Sequence, residues 1–200
     1  MLILVFGLII FLGIHLLRVV SEPVRERMIE RLGEGRYKGT YSALSLVGIL
    51  LIVYGYGQAR IGAVPLWDPP GGLGHLALVL VPIAFVLVAS AYAPTGYIKA
   101  TVRHPMVLGV GLWALAHLLA NATVPDLLLF GSFLGWAVID FISALGRALP
   151  GGEPASRRVG GDVAALVIGL VLAALFIGGL HAWLFGVAPI AGAPAPLSLS

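Results

Sequence analysis

The chain has 200 residues, 60% of them hydrophobic and 10% charged, with a formal net charge of +3. A soluble domain carries about 25% charged residues; with a mean hydropathy of +1.04 the balance excludes that class and predicts an integral membrane protein partnered by the lipid bilayer, not by nucleic acid. There is no cysteine, which rules out disulfides, thiolate-bound zinc, iron–sulfur clusters and cysteine catalysis within it, and leaves non-covalent attachment as the only way to hold a haem.

Six apolar segments follow one another, at about 1–18, 40–57, 73–93, 104–122, 124–143 and 162–186. Each is near the roughly 20 residues that cross about 30 Å of hydrocarbon. The expected fold is an all-α bundle of six transmembrane helices, one domain over 1–187, followed by a Pro/Ala-rich tail, 188–200, that is disordered or an extended surface strand. The first segment has no basic residues ahead of it, so it reads as a mature span and not as a signal peptide. Proline and glycine break the helices at Pro65, "DPPGG" (Asp68 to Gly72), Pro94 and "PGGEP" (Pro150 to Pro154).

The connector 18–40 holds Arg18, Arg25, Arg27, Arg31, Arg36 and Lys38. Within it Ser21, Pro23 and the Glu/Arg pairs predict a short N-capped helix that stops at Gly33 and Gly35, on the inner leaflet. Loop 94–103 adds Lys99 and Arg103, and loop 144–161 adds Arg147, Arg157 and Arg158. Eleven of the twelve basic residues therefore share one side, with Arg60 on the other. The positive-inside rule puts those loops in the cytoplasm and both termini outside, the topology of a multi-pass membrane protein.

The five histidines then sort by depth. His15 and His104 lie at the cytoplasmic ends of the first and fourth segments. His75, His117 and His181 lie towards the outer ends of theirs. His104 and His117 are separated by about 20 Å and about 140° along one helix, too far to share a small ligand. His15 and His104 match in depth on different helices, and two such imidazoles can clamp a b-type haem. Arg18, Lys99 and Arg103 are placed to meet its propionates. The alternatives stay open: a membrane histidine also satisfies itself on a backbone carbonyl, and His75 with His117 is a second candidate pair. His181 is expected in the outer interface beside Trp183. Asp140 either orients a histidine or meets the headgroups, Asn121 and Asp126 cap the tight outer turn, and the tyrosines anchor span ends. Gly109, Ala114 and Ala116 either pack a neighbouring helix or admit a flat cofactor.

The motifs "GIHLLR" (Gly13 to Arg18), "RHP" (Arg103 to Pro105), "LWALAHLLAN" (Leu112 to Asn121) and "LLLFGSFLGWAV" (Leu127 to Val138) resemble the NnrU family of bacterial membrane proteins over residues 1–147. That family is associated with nitrite and nitric oxide reduction and includes relatives of the plant 15-cis-zeta-carotene isomerase, which holds haem b through two histidines. The resemblance implies His15 and His104 as axial ligands, with a small hydrophobic substrate or denitrification proteins as partners. The plant enzyme's cysteine three residues before the second ligand is Thr101 here, so thiolate ligand switching does not carry over. "PTGYIKATVRHPMVLG" (Pro94 to Gly109) is also similar to isoprenylcysteine carboxyl methyltransferases, which use S-adenosylmethionine and close their site with a downstream acidic and Arg-containing stretch. The matching region here, Gly146 to Asp162, has no adjacent acidic pair. Three functions follow: a haem protein with redox or isomerase-like chemistry, a membrane methyltransferase, or a non-enzymatic assembly factor for denitrification complexes. No residue is assigned a catalytic role.

Overall fold

The computed structural model describes residues 1–146 and 156–190, and every regular element among them is helical. "PGGEP", Arg147 and all but the first residues of the tail lie outside the described residues. The helices are α1 (Leu2–Val20), α2 (Glu22–Leu32), α3 (Glu34–Ala59), α4 (Gly71–Tyr92), α5 (Tyr97–Val102), α6 (Pro105–Ala120), α7 (Val124–Leu145) and α8 (Val159–Leu175), then a π turn (Phe176–Leu180) and α9 (His181–Phe185). Among the described residues five helical stretches are long and apolar enough to cross a membrane: α1, α3, α4, α7 and the run Val159–Phe185. The fourth expected segment, α6, has 16 residues, about 24 Å of helix. It is shorter than expected because it starts after His104 and ends at Ala120, before the turn into α7.

Two other boundaries differ from the sequence reading for physical reasons. The second span starts at Glu34, not near 40, because hydropathy marks only the part in lipid. Its first polar turn is helical too, supported by a Glu34–Lys38 ion pair of 2.7 Å. Loop 94–103 contains α5, a six-residue helix too short to show a period. The connector helix α2 falls where expected, ending at Gly33 with φ 78°. Ser21 caps it through its carbonyl, which accepts from Val24 and Arg25, and not through its hydroxyl.

Among the described residues the chain forms two compact units: 1–68 with 121–145, and 69–120 with 146 and 156–190. In the first, α1 packs along α3 through glycines. A Cβ on Gly7 would stand 2.7 Å from the Ile52 nitrogen, one on Gly48 2.9 Å from Phe11 Cβ, and one on Gly55 would collide with the Leu4 nitrogen. Such small residues let helix backbones approach where lipid gives no hydrophobic drive. In the second unit α4 is central, with α6 and α8 against it. Gly109 meets the Ala84 carbonyl and Val88, and Gly169 meets the backbone of Val86. Gly109, Ala114 and Ala116 are all buried, with Gly109 at least serving close packing.

Candidate functional site

In the first unit, His15 sits in an aromatic cradle. Its ring stacks on Phe11 at 4.3 Å between centres, with Tyr41 at 5.2 Å and Trp136 edge-on at 6.0 Å. His15 Nδ1 lies 2.6 Å from the Phe11 carbonyl oxygen. A carbonyl only accepts, so Nδ1 is the donor and Nε2 carries the lone pair. The same bond satisfies the bland reading of a membrane histidine and prepares the ring as a ligand, because a tied Nδ1 fixes tautomer and orientation. Asp140 acts electrostatically on both His15 and Tyr41, which places it near the histidine end of this cluster. Beside His15, the indole Nε1 of Trp136 is buried with no hydrogen-bond partner among the described residues. These are residues that fit an axial haem ligand: apolar flat walls, a pre-set imidazole, and a donor able to meet an oxygen. Arg18 reaches Glu22 at 3.7 Å, an exposed pair of little energy.

In the second unit, the RHP motif is a specific backbone device. Arg103 has φ 62° and ψ −48°, and the His104 amide donates to the Val102 carbonyl at 2.7 Å. That is a γ-turn centred on a non-glycine residue, a strained conformation costing about 1–3 kcal/mol. His104 follows as the helix cap and not as the first helical residue: its carbonyl accepts from the Leu108 amide at 3.2 Å. Pro105 occupies the first position of α6, where its missing N–H costs nothing. His104 is half-buried, and its Nε2 is fully so.

The short helix ahead of this turn is held from a distance. Both oxygens of Asp162, on α8, accept from α5 amides, Tyr97 at 2.8 Å and Ile98 at 2.9 Å. A carboxylate there also complements the positive end of the helix. Gly161 and Gly96 make the approach possible, since a Cβ on either would collide with Pro94 or Asp162. Arg158 donates its amide to the Thr95 carbonyl at 3.0 Å, and the Arg157 guanidinium lies 6.0 Å from the Tyr97 ring centre. Lys99 donates to the Ala91 and Ala93 carbonyls at 2.7 and 3.3 Å. It therefore caps the C-terminus of α4, an occupation the sequence did not reveal.

The other three histidines are also placed. His75 is exposed at the start of α4. His117 lies 6.4 Å from His181, ring centre to ring centre; sequence reasoning paired His117 with His75 and left His181 in the interface. Asp126 does cap its turn, accepting from the Thr123 amide at 2.9 Å and hydroxyl at 2.6 Å, in the manner of a capping box. It is also 5% exposed and takes the Tyr56 hydroxyl at 2.5 Å. Tyr56 is thus fixed by a carboxylate as well as anchored at a span end.

Fold and composition define a multi-pass helical membrane protein. Its family follows from the comparison of sequences: the NnrU protein family matches residues 3–189, nearly the whole chain. The chain belongs to the NnrU family. Neither curated proteins nor solved structures give a match.

Proposed function

We propose that this chain is a haem b-binding NnrU protein of a bacterial inner membrane, with His15 and His104 as the axial ligands of one iron. The observation that carries the reading is the His15 cradle, in which Nδ1 is tied to Phe11 at 2.6 Å and the ring stands among Phe11, Tyr41 and Trp136. It is the tautomer and surrounding that a haem ligand needs. His104 enters by the depth it shares with His15 in the sequence, and its capping position fixes it against the backbone. Arg18, Arg103 and the remaining proton of Lys99 serve the propionates, and Trp136 offers one further donor. Haem bound there supplies one-electron exchange; the chain's own residues orient the imidazoles, exclude water from the ring faces and set the charge at the acid groups. The physiological role is redox or isomerase-like chemistry on a small hydrophobic partner, in the setting of nitrite and nitric oxide reduction.

The methyltransferase reading has less support, because Asp162 spends both oxygens on α5 amides. The assembly-factor reading differs from ours in not needing the histidines. Protein purified from haem-replete cells should carry one haem b per chain by pyridine haemochrome. His15→Ala and His104→Ala should each reduce that content at least tenfold. Full haem content in both variants would overturn the assignment.

We also infer six crossings with both termini outside, α6 spanning with the residues that flank it. Because the natural chain lacks cysteine, single cysteines report this directly. Arg31→Cys should be protected from an impermeant maleimide in intact cells and Arg60→Cys should be labelled; the reverse pattern would invert the topology.

A further inference from the structure

The connector helix α2 lies where two apolar helices leave the lipid. Helices α1 and α3 are both long and apolar enough to cross a membrane. Helix α2 joins them with a single residue at each joint, Ser21 and Gly33. Its 11 residues cover about 16 Å, so they run along the surface and have no length to leave it. None of them is buried. Met28 is 38% exposed and Leu32 41%, although their neighbours in the chain are mostly charged.

The two kinds of residue are sorted around the helix axis. At about 100° per residue, Val24, Met28 and Leu32 share one side over about 80°. Glu26 and Glu30 fall about 160° away from Met28. Arg31 and Arg27 border the apolar side, about 20° and 60° beyond Val24. The other border is docked within the first unit: Arg25 pairs with Glu22 at 2.8 Å, and its guanidinium lies 5.9 Å from the Tyr37 ring centre. Apolar side chains on one side, cations at the boundary and acids opposite are the pattern of a helix lying in the headgroup plane.

Arg27 and Arg31 also shape a recess. With Val24 and Met28 they line an open notch of about 270 Å³. Among the described residues neither arginine forms an ion pair. Yet Glu30 stands three residues after Arg27, at the spacing of a helical ion pair. Two like charges one turn apart destabilise a helix, and an anion seated between them removes that repulsion. The planar guanidinium matches two oxygens of a phosphate. Val24 and Met28, in the same notch, suit hydrocarbon.

We propose that this notch holds the phosphate of one anionic phospholipid, with Arg27 and Arg31 on its oxygens and Val24, Met28 and Leu32 against its acyl chains. Phosphatidylcholine carries the same phosphate, but its own ammonium offsets the charge that two arginines meet. Free phosphate has no chains for the apolar side. The proposal does not rest on haem binding; it needs α1 and α3 to cross the membrane.

The test uses the full chain in detergent, stripped of lipid and incubated with phosphatidylglycerol or phosphatidylcholine, with bound lipids counted by native mass spectrometry. The first phosphatidylglycerol should bind roughly tenfold more tightly than the first phosphatidylcholine. Arg27→Gln and Arg31→Gln should each weaken phosphatidylglycerol binding about fivefold, and together roughly 30-fold, with unchanged helicity and elution volume. Arg157→Gln with Arg158→Gln removes the same charge from the second unit. It should change the affinity less than about twofold, since neither residue lines the notch. Inorganic phosphate in large excess should not displace the lipid. Should the Arg27→Gln, Arg31→Gln variant lose helicity, Arg31→Gln alone carries the test. Equal binding of the two lipids, an equal loss in the Arg157→Gln, Arg158→Gln variant, unchanged affinity in Arg31→Gln, or displacement by inorganic phosphate would each overturn the proposal.

Discussion

Asp162 is the residue on which the geometry ahead of His104 depends. Replacing it by alanine removes two hydrogen bonds to the first amides of α5. Bonds to a charged group contribute about 1.5–3 kcal/mol each, and the low end applies here because the Tyr97 amide is exposed, giving about 3 kcal/mol in all. A six-residue helix cannot hold itself in place by propagation alone, so the loss appears as local opening of α5. At about 1.4 kcal/mol per decade, the opening constant rises roughly 100-fold. Hydrogen exchange by mass spectrometry in nanodiscs reads this directly. The amides of Tyr97, Ile98 and Ala100 should exchange roughly 100-fold faster in Asp162→Ala and roughly tenfold faster in Asp162→Asn, which keeps one acceptor. Amides in the middle of α4 should not change. A rise of less than about threefold across α5 would refute the argument that Asp162 holds this helix.

Three other substitutions follow from the packing. Gly55→Leu should destabilise the protein by about 1–3 kcal/mol, because its Cβ meets backbone of Leu4 and Ile3 that cannot yield; Gly57→Leu, which faces open space, should stay within about 0.5 kcal/mol of wild type in the same thermal melts. Arg103→Gly should be more stable than Arg103→Ala by about 1 kcal/mol, since only glycine relieves φ 62°; equal melting temperatures would remove the strained turn. Tyr56→Phe strips a buried carboxylate of one of its three donors and should cost about 1.5–3 kcal/mol in denaturant titrations.

The architecture was largely legible because lipid imposes long apolar runs, and the connector helix because Ser21, Pro23 and Gly33 punctuate it. What escaped had physical reasons. Nothing local distinguishes α5, since its cap comes from Asp162, more than sixty residues away in the chain. The γ-turn at Arg103 hid inside a motif that read as charge beside histidine, although Pro105 could have signalled that the helix starts after His104. His117 and His181 come within 6.4 Å between ring centres, which an uninterrupted helical wheel could not foresee because the last helical run kinks at Gly179, with φ 138°. Tyr56 and Asp126 were each given an ordinary role, and only the fold joins them. The cradle of His15 was half visible: Phe11 lies one helical turn before it, and Tyr41 and Trp136 come from other helices.

Low-temperature electron paramagnetic resonance of the oxidised, haem-loaded chain tests most directly whether one iron takes both imidazoles. Wild type should give a low-spin ferric signal, and His15→Ala and His104→Ala should each convert it to high spin or abolish it. A wild type without low-spin iron after haem reconstitution, or a low-spin signal that survives both substitutions, would contradict the account.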